Sequence, residues 1–362
     1  MESNITFKEK SLLQKLLKDK FSLIGIIVLA ILYLSITFAG FLAPYKEDFS
    51  DRRLSYAPPS KVFIIDKHGR LSFPYTYNYK RTFDPNTFTM TYKLDRSKKH
   101  YLKFFTTGYN YKILGILPLN LHFVEVGKEG RLFLLGTDIN GRDVFSRLLY
   151  GGQISLTIGF LALFISFPIG MIYGGIAGFF GGKVDDIMMR IAEGLMSIPS
   201  FYLLISLAAI LPANMTSAQR FGLITVILSF IGWAGLSRVV RGMVLSIKTQ
   251  EFVESAKAIG ASSFRIITKH ILPQTASYVI VAITLSVPGY ILAESGLSFL
   301  GLGIQQPDAS WGNMLKEAQE FVNVMDRPWL LVPGLLIFIA VLAFNLIGDA
   351  VRDFLDPKSR MR

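Results

Sequence analysis

Residues Ile154 to Phe180 read ISLTIGFLALFISFPIGMIYGGIAGFF, a run without a single Asp, Glu, Lys or Arg. A helix crosses the hydrocarbon core of a bilayer with roughly 20 apolar residues, and this run exceeds that length. Outward from it lie further mainly apolar runs: Phe21 to Tyr45, Ile191 to Leu211, Phe221 to Leu245, Thr275 to Ala293 and Leu330 to Ile347. Together they predict an all-α polytopic membrane protein with six transmembrane helices. The composition agrees, since 51% of the 362 residues are hydrophobic and 29 are Phe, whereas only 18% are charged.

The charges fall mainly between these runs. Lys8, Lys10, Lys15, Lys18 and Lys20 form a basic N-terminus over 1–20, and the run after it is longer than the core of a cleaved signal peptide. Residues 21–43 are therefore expected to stay as transmembrane helix 1, with the N-terminus cytoplasmic. Alternating from there puts Lys183, Arg190, Arg238, Arg241, Lys248, Lys257, Arg265, Lys269, Arg352, Lys358, Arg360 and Arg362 inside. Only Arg220, Lys316 and Arg327 remain in the short outside loops. That asymmetry follows the positive-inside rule and makes residues 353–362 a cytoplasmic C-terminal tail. It also explains the Lys and Arg that flank the spans without nucleic acid, although the whole chain carries a net charge of +12.

Between the first two spans, residues 44–135 change character to Tyr, Thr, Lys and Asn. Tyr75, Tyr77 and Tyr79 alternate, as do Phe88, Met90 and Tyr92, the period of half-buried strands. Val62–Ile65 and Leu71–Phe73 flank Lys67-His68-Gly69-Arg70, and Leu121–Val126 and Leu132–Leu135 flank Gly127-Lys128-Glu129-Gly130. Both read as hairpins. A small β-rich extracytoplasmic insert is expected, whose basic and aromatic residues make an ordinary solvated strand face rather than a nucleic-acid surface.

Several chemistries are excluded or left without support. Cysteine is absent, and His68, His100, His122 and His270 are too far apart for a local metal pair. Gly181-Gly182-Lys183 lacks the earlier glycine and the hydroxyl of a phosphate-binding loop, so no ATP site is encoded. Asp66, Asp84, His68 and His100 offer acid and base groups to a membrane-anchored enzyme, but no spacing unites them. Glu294, 20 residues beyond Gln274 or about 30 Å along a helix, falls at the outer surface. Glu193, Asp349 and Arg352 fall at the inner one. A span interior empty of charge argues against an ion-coupled carrier or channel, and the driving energy must come from a separate subunit. Gly170, Gly174 and Gly178, at every fourth position, suit close helix packing.

One charged segment, 250–273, carries the most information. It contains Glu254-Ser255-Ala256-Lys257-Ala258-Ile259-Gly260 and ends in Leu272-Pro273. Phe252, Ala256 and Ile259 share a helical face; Gly260 suits the left-handed residue that stops a helix; Ser262 or Ser263 can cap the next; and Pro273 is placed to open the following span. The segment resembles the coupling loop of ABC-importer permeases, Glu-Ala-Ala, three residues, then Gly, with a Leu-Pro ending. Glu254, Ala256, Gly260, Leu272 and Pro273 match, while Ser255 replaces an Ala and His270 stands where Ile is usual.

Two more stretches, Leu135 to Leu148 and Glu294 to Gly303, and the ending Phe344 to Pro357, resemble the C-type permease of oligopeptide and dipeptide importers. In the first of these, Asp138, Arg142 and Asp143 read as a surface helix start with capping carboxylates rather than a ligand site. Phe299 to Gly303 reads as a turn leaving the membrane.

The resemblance implies a type I ABC importer permease core over 136–352, five transmembrane helices, with Glu254, Ser255, Ala256, Gly260, Leu272 and Pro273 in the loop that couples to the ATPase. It implies no cofactor of the chain's own, ATP being bound by partners. Those partners are a homologous B-type permease in a heterodimer, two cytoplasmic ATP-binding subunits and an extracytoplasmic solute-binding protein. The setting is the inner membrane, and the cargo implied is peptide, with nickel chelates, sugars or other small solutes as alternatives.

Overall fold

The computed structural model describes residues 12–66, 69–85, 89–113, 115–212 and 214–355. Lys8, Lys10, Lys67, His68, Phe88 and residues 356–362 lie outside the described residues. Among the described residues, five helical stretches are long and apolar enough to cross a membrane, Lys20–Thr37, Val144–Phe180, Ser217–Ile247, Ser263–Phe299 and Pro328–Leu355, and a sixth forms if one bent pair counts as a span. The chain divides into two compact units, one of residues 1–30, 158–294 and 338–362, the other of 31–157 and 295–337.

In the first unit lie α1 (Leu12–Leu16) and most of α2 (Lys20–Thr37). They are followed by the larger part of α4 (Val144–Phe180), α5 (Gly182–Met196), α6 (Ser200–Ala209) and α7 (Ser217–Ile247). After the 250–273 segment come α10 (Ala276–Phe299) and the end of α13 (Val332–Leu355).

Helices α4 and α7 meet on the glycine stripe. A Cβ added at Gly170 would lie 2.8 Å from the Trp233 carbonyl oxygen, one at Gly178 equally close to that of Arg241, and one at Gly174 would overlap that of Ser237. Three glycines at four-residue spacing thus bring two backbones together along Trp233, Ser237 and Arg241, the close approach that small residues permit where lipid supplies no hydrophobic drive.

Ile191 to Leu211, expected as one span, falls on a bent pair of helices. Helices α5 and α6 are bent by 79°. Pro199 disfavours helical backbone at Ile198 before it, and the chain restarts at Ser200 with Pro199 in the N-cap position. In the same unit the Tyr173 ring packs tilted against Trp233, with centroids 4.7 Å apart, and its hydroxyl donates to the Met188 carbonyl at 2.7 Å.

The second unit holds α3 (Ala39–Leu42), five strands, the start of α4, and the short helices α11 (Trp311–Leu315) and α12 (Phe321–Asp326). The strands β1 (Val62–Ile65), β2 (Leu71–Asp84) and β3 (Thr89–Tyr101) form an antiparallel sheet in that order. A separate antiparallel hairpin joins β4 (Lys103–Ile113) to β5 (Leu117–Glu125).

The first hairpin stands where the alternation predicts it. The second does not: β5 pairs back to β4, and Leu132–Leu135 is not a strand. Its backbone donors go to side chains instead, the Leu132 N–H to the Tyr45 hydroxyl at 2.8 Å and the Phe133 N–H to Ser60 Oγ at 2.9 Å. Phe133 is thereby buried with Leu54 and Ala57, beneath Tyr45, Tyr79 and Tyr92. A hydrophobic run whose N–H groups are satisfied from afar gives no local sign that it is not a strand.

Candidate functional site

The 250–273 segment lies wholly in the first unit. Helix α8 (Glu251–Ala258) begins after Gln250 and ends at Ile259, and Gly260 adopts φ = 78°. This is the left-handed conformation that glycine enters without the Cβ penalty. The chain restarts at once: Ser262 caps α9 (Ser263–Arg265), its Oγ accepting from the Arg265 N–H at 3.4 Å. A π-turn over Ile266–Ile271 and a tight turn over Leu272–Thr275 then lead into α10, with Pro273 near the start of that turn, where its missing N–H costs nothing.

The helical face shared by Phe252, Ala256 and Ile259 is not buried as a whole. Val253 and Ala256 are buried, whereas Phe252 is 37% and Ile259 85% exposed. The helix packs through its smaller residues, and its larger apolar groups face outward. Phe264, 66% exposed, adds to them. Of the six residues singled out in the sequence, Ala256 and Leu272 are buried and hold the segment to the unit; Glu254, Ser255, Gly260 and Pro273 are exposed. The Ser255 hydroxyl donates to the Glu251 carbonyl at 2.9 Å, so it is spent within the helix. Glu254 pairs with Lys257 at 2.8 Å, an exposed pair contributing about 0.3–0.5 kcal/mol. What these positions present outward is a short helix edge with two apolar side chains beyond it.

Rigid supports hold the segment. Ile266, Ile267 and Ile271 are all but fully buried, and Gly175 of α4 leaves room for Ile267 and Leu272 at 3.1 and 3.3 Å from where a Cβ would be. Just ahead of the segment, Arg241 Nε donates to both carboxylate oxygens of the buried Asp185 at 2.9 and 3.1 Å, tying α7 to α5. Lys248 Nζ donates to the Gly178 carbonyl at 2.8 Å and so satisfies the C-terminal end of α4. Asp185, Arg241 and Lys248 carried no motif. The four-residue glycine spacing signalled a close helix contact but not that its partner would be the helix carrying Arg241.

The second unit gathers the other two motifs around the start of α4. Asp138 Oδ2 lies 2.6 Å from Arg142 Nε and 3.7 Å from Arg147 Nε, and its Oδ1 accepts from the N–H groups of Asn140 and Arg142. Asp143 caps α4 by accepting from the Ser146 N–H at 2.8 Å and its hydroxyl at 2.6 Å. The capping and the ion pair are as the sequence suggests, but the place is not the surface: Asp138, Arg142, Asp143 and Arg147 are all buried.

Segments far apart in the chain cover them. Arg147 donates to the Pro307 carbonyl at 3.0 Å and Asn140 to Gln306 Oε1 at 3.3 Å. Glu317 accepts from the Ile139 N–H at 3.0 Å, and Trp329 donates to the Thr137 carbonyl at 3.1 Å. Burial lifts the Asp143 carboxyl to about 7. Burial, with Asp138 nearby, lifts Glu317 to about 7 as well. Gly301, at φ = 79°, makes the turn expected at the end of α10. Glu294, in α10, is fully buried.

Five or six candidate spans, with a capped charged segment between two of them, define a polytopic membrane protein. Comparison with known proteins names the family. Residues 166–361 match the binding-protein-dependent transport system inner membrane component family, and residues 10–59 match the N-terminal TM domain of oligopeptide transport permease C. The chain belongs to the former family: it is the permease component of an ABC importer and not its catalytic subunit.

It is similar to the dipeptide transport system permease protein DppC of Bacillus subtilis, 47% identical over 227 residues, covering 62% of this chain and 68% of that one. It is also similar to the oligopeptide transport system permease protein OppC of Haemophilus influenzae, 46% identical over 233 residues, covering 64% and 72%. The glutathione transport system permease protein GsiD of Escherichia coli O157:H7 is 42% identical over 224 residues, covering 62% and 71%.

Proposed function

We propose that this chain forms half of the translocation pathway for peptides in an ATP-driven importer, and that the 250–273 segment receives the motion of the ATP-binding subunits. The observation that carries the reading is the pairing of a left-handed stop at Gly260 with outward-facing Phe252, Ile259 and Phe264. These are apolar side chains rimmed by Glu254 and Lys257, the surface character of a protein docking site. The peptide cargo is supported by the names of the relatives, which transport dipeptides, oligopeptides and glutathione. The partners follow from the same kinship: a B-type permease beside this chain, two ATP-binding subunits against the segment, and a solute-binding protein at the opposite mouth. The segment and both termini are cytoplasmic in this reading, and residues 44–135 extracytoplasmic, as the distribution of Lys and Arg supports.

In mechanism, closure of the ATP-binding subunits pushes on α8. The buried Val253, Ala256, Ile266 and Ile267 transmit the push to α4 and α7, because a well-packed interface moves as a body. Replacing Phe264 with Glu, together with Ile259 with Glu, is expected to abolish co-purification of the ATP-binding subunits while the thermal midpoint of the isolated chain stays unchanged. Gly260→Val should leave the chain inserted but stop peptide uptake, since a β-branched residue resists φ = 78°. Full recovery of the ATP-binding subunits in the double variant, or undiminished uptake by Gly260→Val, would contradict the coupling role.

A further inference from the structure

The β4–β5 hairpin turns back where the Ile116 N–H donates to the Ile113 carbonyl at 3.0 Å, and the sequence from 113 to 117 contains no polar residue. Ile116 is 82% and Leu117 56% exposed. Turns that meet water are built from Gly, Asn, Asp, Ser and Pro, so an all-apolar tip calls for another solvent. The apolar character continues up one face. Leu119, Leu121 and Phe123 follow Leu117 at every second position and share its side of the strand; Ile113 and Tyr111 oppose Leu117 and Leu119 across the ladder. Leu119, Leu121 and Phe123 are each about 40% exposed. The other face carries the exposed Lys112 and Asn120.

The hairpin is held firmly. Phe41 lies 6.2 Å from Phe105 and 6.0 Å from Phe123. The Tyr111 ring rests on Gly40, where any Cβ would overlap it. The Tyr109 hydroxyl lies 3.0 Å from the Tyr45 carbonyl oxygen. Between the hairpin and the end of α2 runs a groove of about 560 Å³, walled by Ile31, Leu34 and Phe38 on one side and Tyr111, Leu119 and Leu121 on the other. Ile31 and Leu34 are each 58% exposed and belong to a helix that spans the membrane. Ile31 sits six residues inside its end at Thr37, about 9 Å along the axis. The groove is therefore continuous with the lipid-facing surface of the span and reaches acyl-chain depth.

We propose that the β4–β5 hairpin is a membrane-dipping finger: its tip, with Ile113, Ile116 and Leu117, enters the bilayer, and the groove beside α2 holds a lipid acyl chain. Lipid is the occupant because one wall of the groove is itself a spanning helix and neither the groove face nor the tip carries a charge. The proposal needs only that α2 crosses the bilayer, so it stands apart from the cargo, the coupling role and the sidedness argued above.

The absence of cysteine lets single substitutions be labelled uniquely within the chain. Ile116→Cys and Leu117→Cys, each carrying an environment-sensitive nitrobenzoxadiazole label, are placed in the assembled transporter with cysteine-free partner subunits in phosphatidylglycerol and phosphatidylethanolamine nanodiscs. Asn120→Cys serves as the polar-face control. Emission from both tip positions should shift to the blue and lose intensity with lipids bearing a nitroxide near the headgroup end of the chain. Aqueous iodide should quench Asn120→Cys alone. Iodide quenching at the tip equal to the control overturns the proposal in favour of a water-exposed turn. A tip reached by neither quencher overturns it in favour of a protein partner.

Discussion

The two ends of α4 are held in opposite ways. Near Gly170 to Gly178 the helix meets α7 through absent side chains, backbone against backbone, with one bidentate pair, Asp185 with Arg241, bordering the contact. At its start, Asp138, Arg142, Asp143 and Arg147 are buried together and hydrogen-bonded to one another, to Pro307 and to Ser146. Packing of the first kind depends on shape and tolerates no added atom. The second depends on completeness, because a buried charge is stable only while every partner is present. In the proposed function the 250–273 segment moves as a body, and the shape-dependent contact lies against that segment, where Gly175 receives Ile267 and Leu272.

The sharpest way to break the comparison is at Gly174. A Leu there must displace the Ser237 backbone, so a loss of about 3 kcal/mol or more is expected. The fluorescence of Trp233, the tryptophan of that contact, should report early thermal unfolding. Gly235→Ala, on α7 with open space where its Cβ would stand, is expected to be neutral. Equal midpoints for the two variants would remove the distinction.

Asp138→Asn attacks the other end by removing one charge from a buried set, leaving Arg142 and Arg147 without their carboxylate. The expected cost is about 3–5 kcal/mol. Double replacement of Asp138 and Arg142 by apolar residues of similar size should restore part of it; a double variant worse than the sum of its parts would argue that shape, not charge balance, governs this end too.

A smaller effect concerns pH. Glu317 is raised in the folded chain from its ordinary 4.5 to about 7, mainly by burial. In that window the folded state keeps a proton that the unfolded state has released. Its contribution to stability is thus present below about 4.5 and lost as pH climbs toward 7. The thermal midpoint should fall from pH 5 to pH 8, and Glu317→Gln should flatten part of that fall. Identical slopes in parent and variant would show that Glu317 does not titrate in this way. The smallest effect is at Ser262, whose replacement by Ala removes the cap of α9 at a cost of about 1 kcal/mol, read as a slight drop in midpoint with uptake intact.

The membrane class, the placing of most spans, the turn at Gly260 with its cap at Ser262 and the glycine contact were legible in the chain, because each rests on local rules: run length, the left-handed preference of glycine, and helical periodicity. So was the kinship, through short motifs in order. Three things were decided only by tertiary structure. The exposed face of α8 was one, since Phe252 and Ile259 have the spacing of a buried stripe and only the packing of Val253 and Ala256 turns them outward. The second was the strand partner of β5: Leu132–Leu135 has the composition of a strand, but Tyr45 and Ser60 take its N–H groups from 87 and 73 residues away. The third was the burial of Asp138 and Arg147, covered by segments that follow 160 residues later. Local propensity fixes which elements can form, while which face is covered, and by what, depends on contacts between residues whose spacing in sequence carries no period.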